Sequence, residues 1–227
     1  MGYMTTDKKI IIGVSAGVLI ICAFIMFFAA KGFSNQGKYV EVKGLSERIV
    51  KADRAIWSIN FEVKTNSSSE LFTQIKGNVD DVTAFLVKAG FDASEISTAP
   101  ASTYQDTYSG SQYRYNARIS MSVYSDRVDL VRSTSQNTLS LIEKGIVMND
   151  SYISFEVSDI NDIKPEMLAE AIQNARVSAK EFAKDSGAGV GDIARANQGV
   201  IDITDKDPGS PEYKKIRLVT TVRYLLN

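Results

Sequence analysis

An α+β fold built on antiparallel hairpins follows from three observations in the 227-residue chain. Ala55, Trp57, Ile59, Phe61 and Val63 alternate with Ser58, Asn60, Glu62 and Lys64, the period of a strand with one buried face. Elsewhere apolar residues recur at helical spacing, notably through Leu168, Ala171, Ile172, Ala175 and Ala179. The segments follow one another as ββαββαβαββ, with strands in pairs, which suits α+β better than a parallel wound sheet. A hydrophobic content of 44% is enough for a sizeable core.

Residues 1–9 form a short tail. From Ile10 to Ala30 the chain runs 21 residues without a charge, directly after Lys8 and Lys9. About 20 apolar residues cross a bilayer core, whereas a secretory apolar region has about 7 to 15. Residues 10–30 therefore read as an uncleaved, single-pass transmembrane anchor in contact with the lipid bilayer. The alternative is a long signal peptide cut near Ala29 and Ala30, against which Phe28 stands where a small residue is needed. A lipoprotein signal is discounted because Ile21 precedes Cys22. Lysines flank both ends, so the positive-inside comparison is weak, and the short tail places the large domain outside the cytoplasm. Residues 31–38 are a polar linker and residues 39–227 the folded domain.

That domain opens with a strand at Tyr39 to Gly44, then a longer alternating run from Arg48 to Thr65. Ser67 and Glu70 make a capping box, so a helix begins there with Leu71, Ile75, Val79, Val82 and Leu86 inward and Gly90 past its end. A second hairpin spans about Ile96 to Ser125, turning near Ser109 to Ser111, with Tyr113, Tyr115, Ala117, Ile119, Met121 and Val123 on one face. A second helix runs from Asp126 to Lys144, carrying Val128, Val131, Thr138 and Ile142 at helical spacing. After a strand at Ser151 to Asp159, Pro165 marks the first turn of a third helix, whose small-residue stripe also takes in Phe182 and Ala183. Two strands, about 192–204 and 214–226, close the chain.

Composition excludes several chemistries. Histidine is absent and Cys22 is the single cysteine, which removes histidine triads, thiolate–imidazole pairs and Cys/His zinc sites. No catalytic, cofactor or metal residue is assigned. Lysine and arginine total 26 against 27 acidic residues, so no basic footprint for nucleic acid is present.

"VEVKGLSERIVKADRAIWSINFEV" (Val40 to Val63), "YNARISMSV" (Tyr115 to Val123) and "AEAIQNARVSAKEFAKDSGAGVGDI" (Ala169 to Ile193) together resemble the SIMPL family, a domain of unknown function. The resemblance covers roughly residues 39 to 226; Ala52 departs from it where many relatives carry proline. It implies a bacterial envelope protein, exported or anchored in the inner membrane with its domain in the periplasm. It further implies ring-like or channel-like homo-oligomers and an association with oxidative-stress tolerance. It brings no agreed catalytic residues.

Three stretches remain as candidate sites. "KDSGAGVGDI" (Lys184 to Ile193) mimics a phosphate loop, yet its glycines follow a helix instead of preceding one. A helix C-terminus repels phosphate, so no nucleotide is expected and Gly187, Gly189 and Gly191 read as cap and turn residues. "DITDKDPG" (Asp202 to Gly209) lacks the glutamate an EF-hand needs, having Ile216 at that position, and reads as solvated turn acids. Tyr104, Tyr108, Tyr113 and Tyr115 gather on the second hairpin, as packing, as a subunit contact or as an aromatic ligand platform. The leading reading is a non-enzymatic, self-associating envelope domain. The rival is a small-ligand binding module or enzyme using the tyrosine-rich hairpin.

Overall fold

The computed structural model describes residues 38–108 and 110–227; the expected tail, anchor and most of the linker lie outside them. No helix among the described residues is long and apolar enough to cross a membrane. The architecture is α+β with antiparallel sheets. In chain order it comprises β1 (Tyr39–Lys51), β2 (Arg54–Thr65), α1 (Ser68–Ala89), β3 (Ile96–Thr98), β4 (Ser102–Gln105), β5 (Tyr115–Ser125), α2 (Val128–Ser135), α3 (Leu139–Glu143), β6 (Tyr152–Glu156), α4 (Ile160–Asp185), β7 (Val190–Asp205) and β8 (Tyr213–Leu226). One sheet has the order β1-β8-β7, the other β3-β5-β2-β6 with β4 also on β5. By compactness the described residues divide into two units, one holding Ser46–Met167 with Val200–Leu218, the other residues 38–45, Leu168–Gly199 and Val219–Asn227.

In the unit containing Ser46–Met167, β2 and β5 pair antiparallel along their whole length, from Ala55 opposite Ser125 to Thr65 opposite Tyr115. The alternation read in β2 holds: Ala55, Trp57, Ile59, Phe61 and Val63 are all buried, as are Ala117, Ile119, Met121 and Val123 of β5. Leu71, Val82 and Leu86 of α1, Val128 and Val131 of α2, and Leu141 of α3 close over this face. Trp57 is the largest side chain in this core, and its Nε1 donates to Ser151 Oγ at 2.9 Å.

Local chemistry explains the boundaries. Ser67 caps α1 by accepting from the Glu70 N–H, while Gly90 closes it in the left-handed conformation at φ 110°. Only half of the capping box forms, because the Glu70 carboxylate accepts instead from the Thr65 hydroxyl at 2.7 Å. The long run from Arg48 to Thr65 is two strands, broken at Ala52 and Asp53. There the Ala52 N–H donates to the Glu212 carbonyl at 2.7 Å and Asp53 accepts from the Ser158 N–H at 2.9 Å. A proline at position 52 would have no N–H to give, so this bond needs a residue such as alanine there.

The second helix divides. Gln136 to Thr138 interrupt it, and the break rotates the following turn so that Leu141 is buried and Ile142 exposed, where unbroken spacing places Ile142 inward. The third main helix starts at Ile160, so Pro165 sits in its second turn; the strand before it is correspondingly short, Tyr152–Glu156.

In the other unit, Ala171, Ala175, Ala179 and Ala183 of α4 are buried at four-residue spacing. Phe182, expected on this stripe, is exposed because it falls off the phase that the four alanines set. Ala175 and Ala179 pack with Val42, Val222 and Tyr224. A Cβ on Gly44 would overlap the Ala171 carbonyl and lie 2.7 Å from the Ala175 nitrogen, so β1 and the helix touch backbone to backbone. Burial holds the Tyr224 hydroxyl above its ordinary pKa, opposed by Arg176, and that hydroxyl donates to the Ile172 carbonyl at 3.4 Å.

Candidate functional site

The glycine stretch is punctuation in the structure. Gly187 is left-handed at φ 70°, its N–H donating to Lys184 O at 3.1 Å and that of Ala188 to Ala183 O at 2.9 Å, the paired bonds of a Schellman helix end. Gly189 and Asn227 exchange backbone bonds at 3.1 and 3.0 Å. Gly191, expected in the turn, already belongs to β7, where a Cβ would lie 3.2 Å from the Leu225 carbonyl. The helix end turned toward this loop is the one that repels phosphate.

Two of the three acids of the "DITDKDPG" stretch have partners nearby. Asp207 Oδ1 accepts from the Gly209 N–H at 2.9 Å, and Asp205 pairs with Lys214 of the next strand.

The four tyrosines do not share a face. Pairing sets Tyr104 beside Asn116 and Lys64, whereas Tyr115 stands beside Thr65 and Gln105, one residue on and therefore on the opposite side of the sheet. Tyr115 packs against the helix-covered core. Tyr108 is the most exposed of the four, at 75%. It borders a hollow of about 360 Å³ with Asn66, Gln105, Asp106, Ser111 and Arg114. Its N–H and the Ser111 hydroxyl hold the Asp106 carboxyl below its ordinary pKa. Tyr104 and Tyr113 lie close enough to Lys64 to favour its ammonium, after the larger effect of the hydrogen-bonded Glu62 carboxylate.

Two features escape sequence reading. One is a cleft of about 440 Å³ whose lining includes Trp57, Arg132, Gln136, Met148, Phe155 and Pro211. Arg132 reaches from it to Glu212, which is 3% exposed and whose second oxygen, Oε2, has no partner among the described residues. Residues 132 and 212 are joined only by folding, so no spacing announces the pair. The other feature is β7. It is an edge strand of 16 residues bonded to β8 on one side, with nothing paired on the other among the described residues. Along it no residue is buried, and Val200 is 88% exposed. Its sequence does not announce an edge: Val190 to Asp205 contains neither proline nor lysine, and its charges are Asp192, Arg195, Asp202 and Asp205.

The SIMPL family model, described as a protein of unknown function (DUF541), matches residues 40–218. The chain belongs to the SIMPL family. No curated protein matches it. Within the SIMPL domain thus defined lie β1 to β6, all four helices, β7 and the start of β8. The family's description assigns no function, and the surfaces this domain exposes are where one can be sought.

Proposed function

We propose that this SIMPL protein is a non-enzymatic envelope component, tethered to the inner membrane by residues 10–30, whose periplasmic domain assembles with copies of itself. The observation that carries this reading is β7. A long edge strand exposed on both faces, with Ile193, Val200 and Ile203 in water, is the kind of edge that natural proteins cover by pairing. Pairing two such strands satisfies the free N–H and C=O groups and removes apolar surface from water. A closed ring or channel, with a link to stress tolerance, is the form of assembly the family resemblance favours.

Size-exclusion chromatography with light scattering on the full chain in detergent, and on residues 35–227, tests the reading. The expected result is a defined oligomer that Val200→Pro together with Ile203→Lys converts to monomer at unchanged helicity. A strict monomer at high micromolar concentration, with and without the anchor, overturns it. The tyrosine-rich hairpin is the second reading, favoured by the hollow beside Tyr108. It requires a ligand-dependent thermal shift that Tyr108→Ala with Tyr113→Ala abolishes.

A further inference from the structure

The sheet of β3, β5, β2 and β6 buries one face beneath α1, α2 and α3; its other face carries an unusual set of side chains. Across four neighbouring strands, Ser97, Ser122, Ser58 and Tyr152 stand in one row. The next row sets Asn60 opposite Ser120. These residues floor and border a trough of about 400 Å³.

The hydroxyls of Ser58, Ser97, Ser120 and Ser122 have no hydrogen-bond partner among the described residues. Asn60 uses its amide N–H on the Asp150 carbonyl at 3.1 Å, leaving its Oδ1 free. Each serine offers one donor and two acceptor sites, so the floor both gives and takes hydrogen bonds. No charged side chain lines the trough; beyond it along β2 and β5, Glu62 is paired with both Arg118 and Lys64. At one end stands Tyr152, a residue 62% exposed, which also borders the 440 Å³ cleft.

This combination excludes most ligand classes. Without a cation the trough has no grip on phosphate or carboxylate. Ala99 and Met121 add apolar lining beside the serines, but a wholly apolar ligand would leave the serine hydroxyls unpaired. A ligand with an apolar C–H face and a rim of hydroxyls meets both parts, stacking on the tyrosine and bonding to the serines. Strands lie about 4.8 Å apart, so the row from Ser97 to Ser58 spans about 10 Å, the scale of a short run of sugar rings.

We propose that this trough binds a neutral oligosaccharide, with Tyr152 as the stacking platform and Ser58, Ser97, Ser120, Ser122 and Asn60 as the hydrogen-bonding floor. The inference does not depend on self-association, since the trough lies on β2, β3, β5 and β6 and shares no residue with β7.

The test uses the full chain in a zwitterionic detergent, because alkyl-glycoside detergents would compete. Saturation-transfer NMR with a tetramer of β-1,4-linked N-acetylglucosamine and with maltotetraose measures binding, at a Kd expected near 1 mM or tighter. Tyr152→Ala weakens it at least tenfold, whereas Tyr152→Phe, which keeps the ring, stays within about threefold. Ser58→Val with Ser122→Val fills the floor with methyl groups in residues that favour strands; it too weakens binding at least tenfold at unchanged melting temperature. No saturation transfer from either sugar at about ten times that Kd overturns the proposal, including where an oligomer covers the trough. Binding that survives both Tyr152→Ala and the double valine variant overturns it as well.

Discussion

Gly44→Ala tests the packing of α4 on β1. The added Cβ would sit 2.7 Å from the Ala175 nitrogen and 2.8 Å from the Ala171 carbonyl carbon, and closer still to the Ala171 oxygen. Ordinary contact begins at 3.4 Å, so the helix must retreat by at least 0.7 Å, and further at the carbonyl oxygen. Every obstructing atom is main chain, so no side chain can swing aside. A gap of 0.5–1 Å forfeits roughly a quarter to a half of the dispersion energy at each contact it opens. The contacts at stake join Ala175 and Ala179 to Val42, Val222 and Tyr224. Overpacking costs about 1–3 kcal/mol in general, and backbone obstruction puts this case near 3 kcal/mol. For a chain of this size that lowers the melting temperature by about 6–12 °C. Gly77, inside α1 with nothing within 4 Å of a built Cβ, is the matched control. There Gly77→Ala stabilises by about 0.5–1 kcal/mol through helix propensity. Thermal and urea melts followed by circular dichroism measure both. Gly44→Ala melting within about 2 °C of the wild type refutes the close approach. So does rescue by Ala171→Gly, since the blocking oxygen belongs to the backbone.

The remaining predictions concern charge. Although partial burial pushes the Asp53 carboxyl upward, the N–H groups of Ser158 and Asp159 outweigh it and hold the pKa below 3.8. Its contribution is thus complete above the ordinary carboxylate value and fades as pH falls through the lowered folded value. Asp53→Asn therefore flattens the loss of stability in acid melts below about pH 4, and an unchanged acid limb contradicts the assignment. Arg132→Met strands the buried Glu212 carboxylate and costs about 2 kcal/mol, less than a fully buried pair because Arg132 is 40% exposed. Adding Glu212→Gln recovers more than half of that loss in the same urea melts; a double variant no better than Arg132→Met refutes the coupling. Arg118→Met releases the Glu62 carboxylate from one of the two partners that depress its pKa, the other being Lys64. The Glu62 titration followed by NMR then moves upward, and an unmoved titration contradicts the pairing.

Much of this protein follows from local sequence. The alternation in β2, the Ser67 cap, the Gly90 and Gly187 helix ends and the alanine stripe of α4 each depend on neighbours a few residues away, and each stands where the spacing places it. The family signature belongs to this class, because it consists of those same segments in order. Departures occur where distant residues intervene. The strand break at Ala52 depends on the Glu212 carbonyl. The half-formed capping box, by contrast, is a local departure, in which Thr65, just before the cap, takes the Glu70 carboxylate. The tyrosines separate because strand pairing, with a period of two, sends Tyr104 and Tyr115 to opposite faces, although in sequence they form one cluster.

The surfaces that bear on function belong to the tertiary structure alone. Nothing local marks β7 as an edge, since edge or centre is a property of the strand order and not of the strand. Nor does any spacing bring Ser97, Ser122, Ser58 and Tyr152 into one row, which exists only through three strand registers. Composition and periodicity determined the fold class and the absence of histidine or thiol chemistry in the domain, because those depend on residue type and neighbours. Pairing register decided which hydroxyls, rings and edges face outward, because hydrogen bonds between strands act across any distance along the chain.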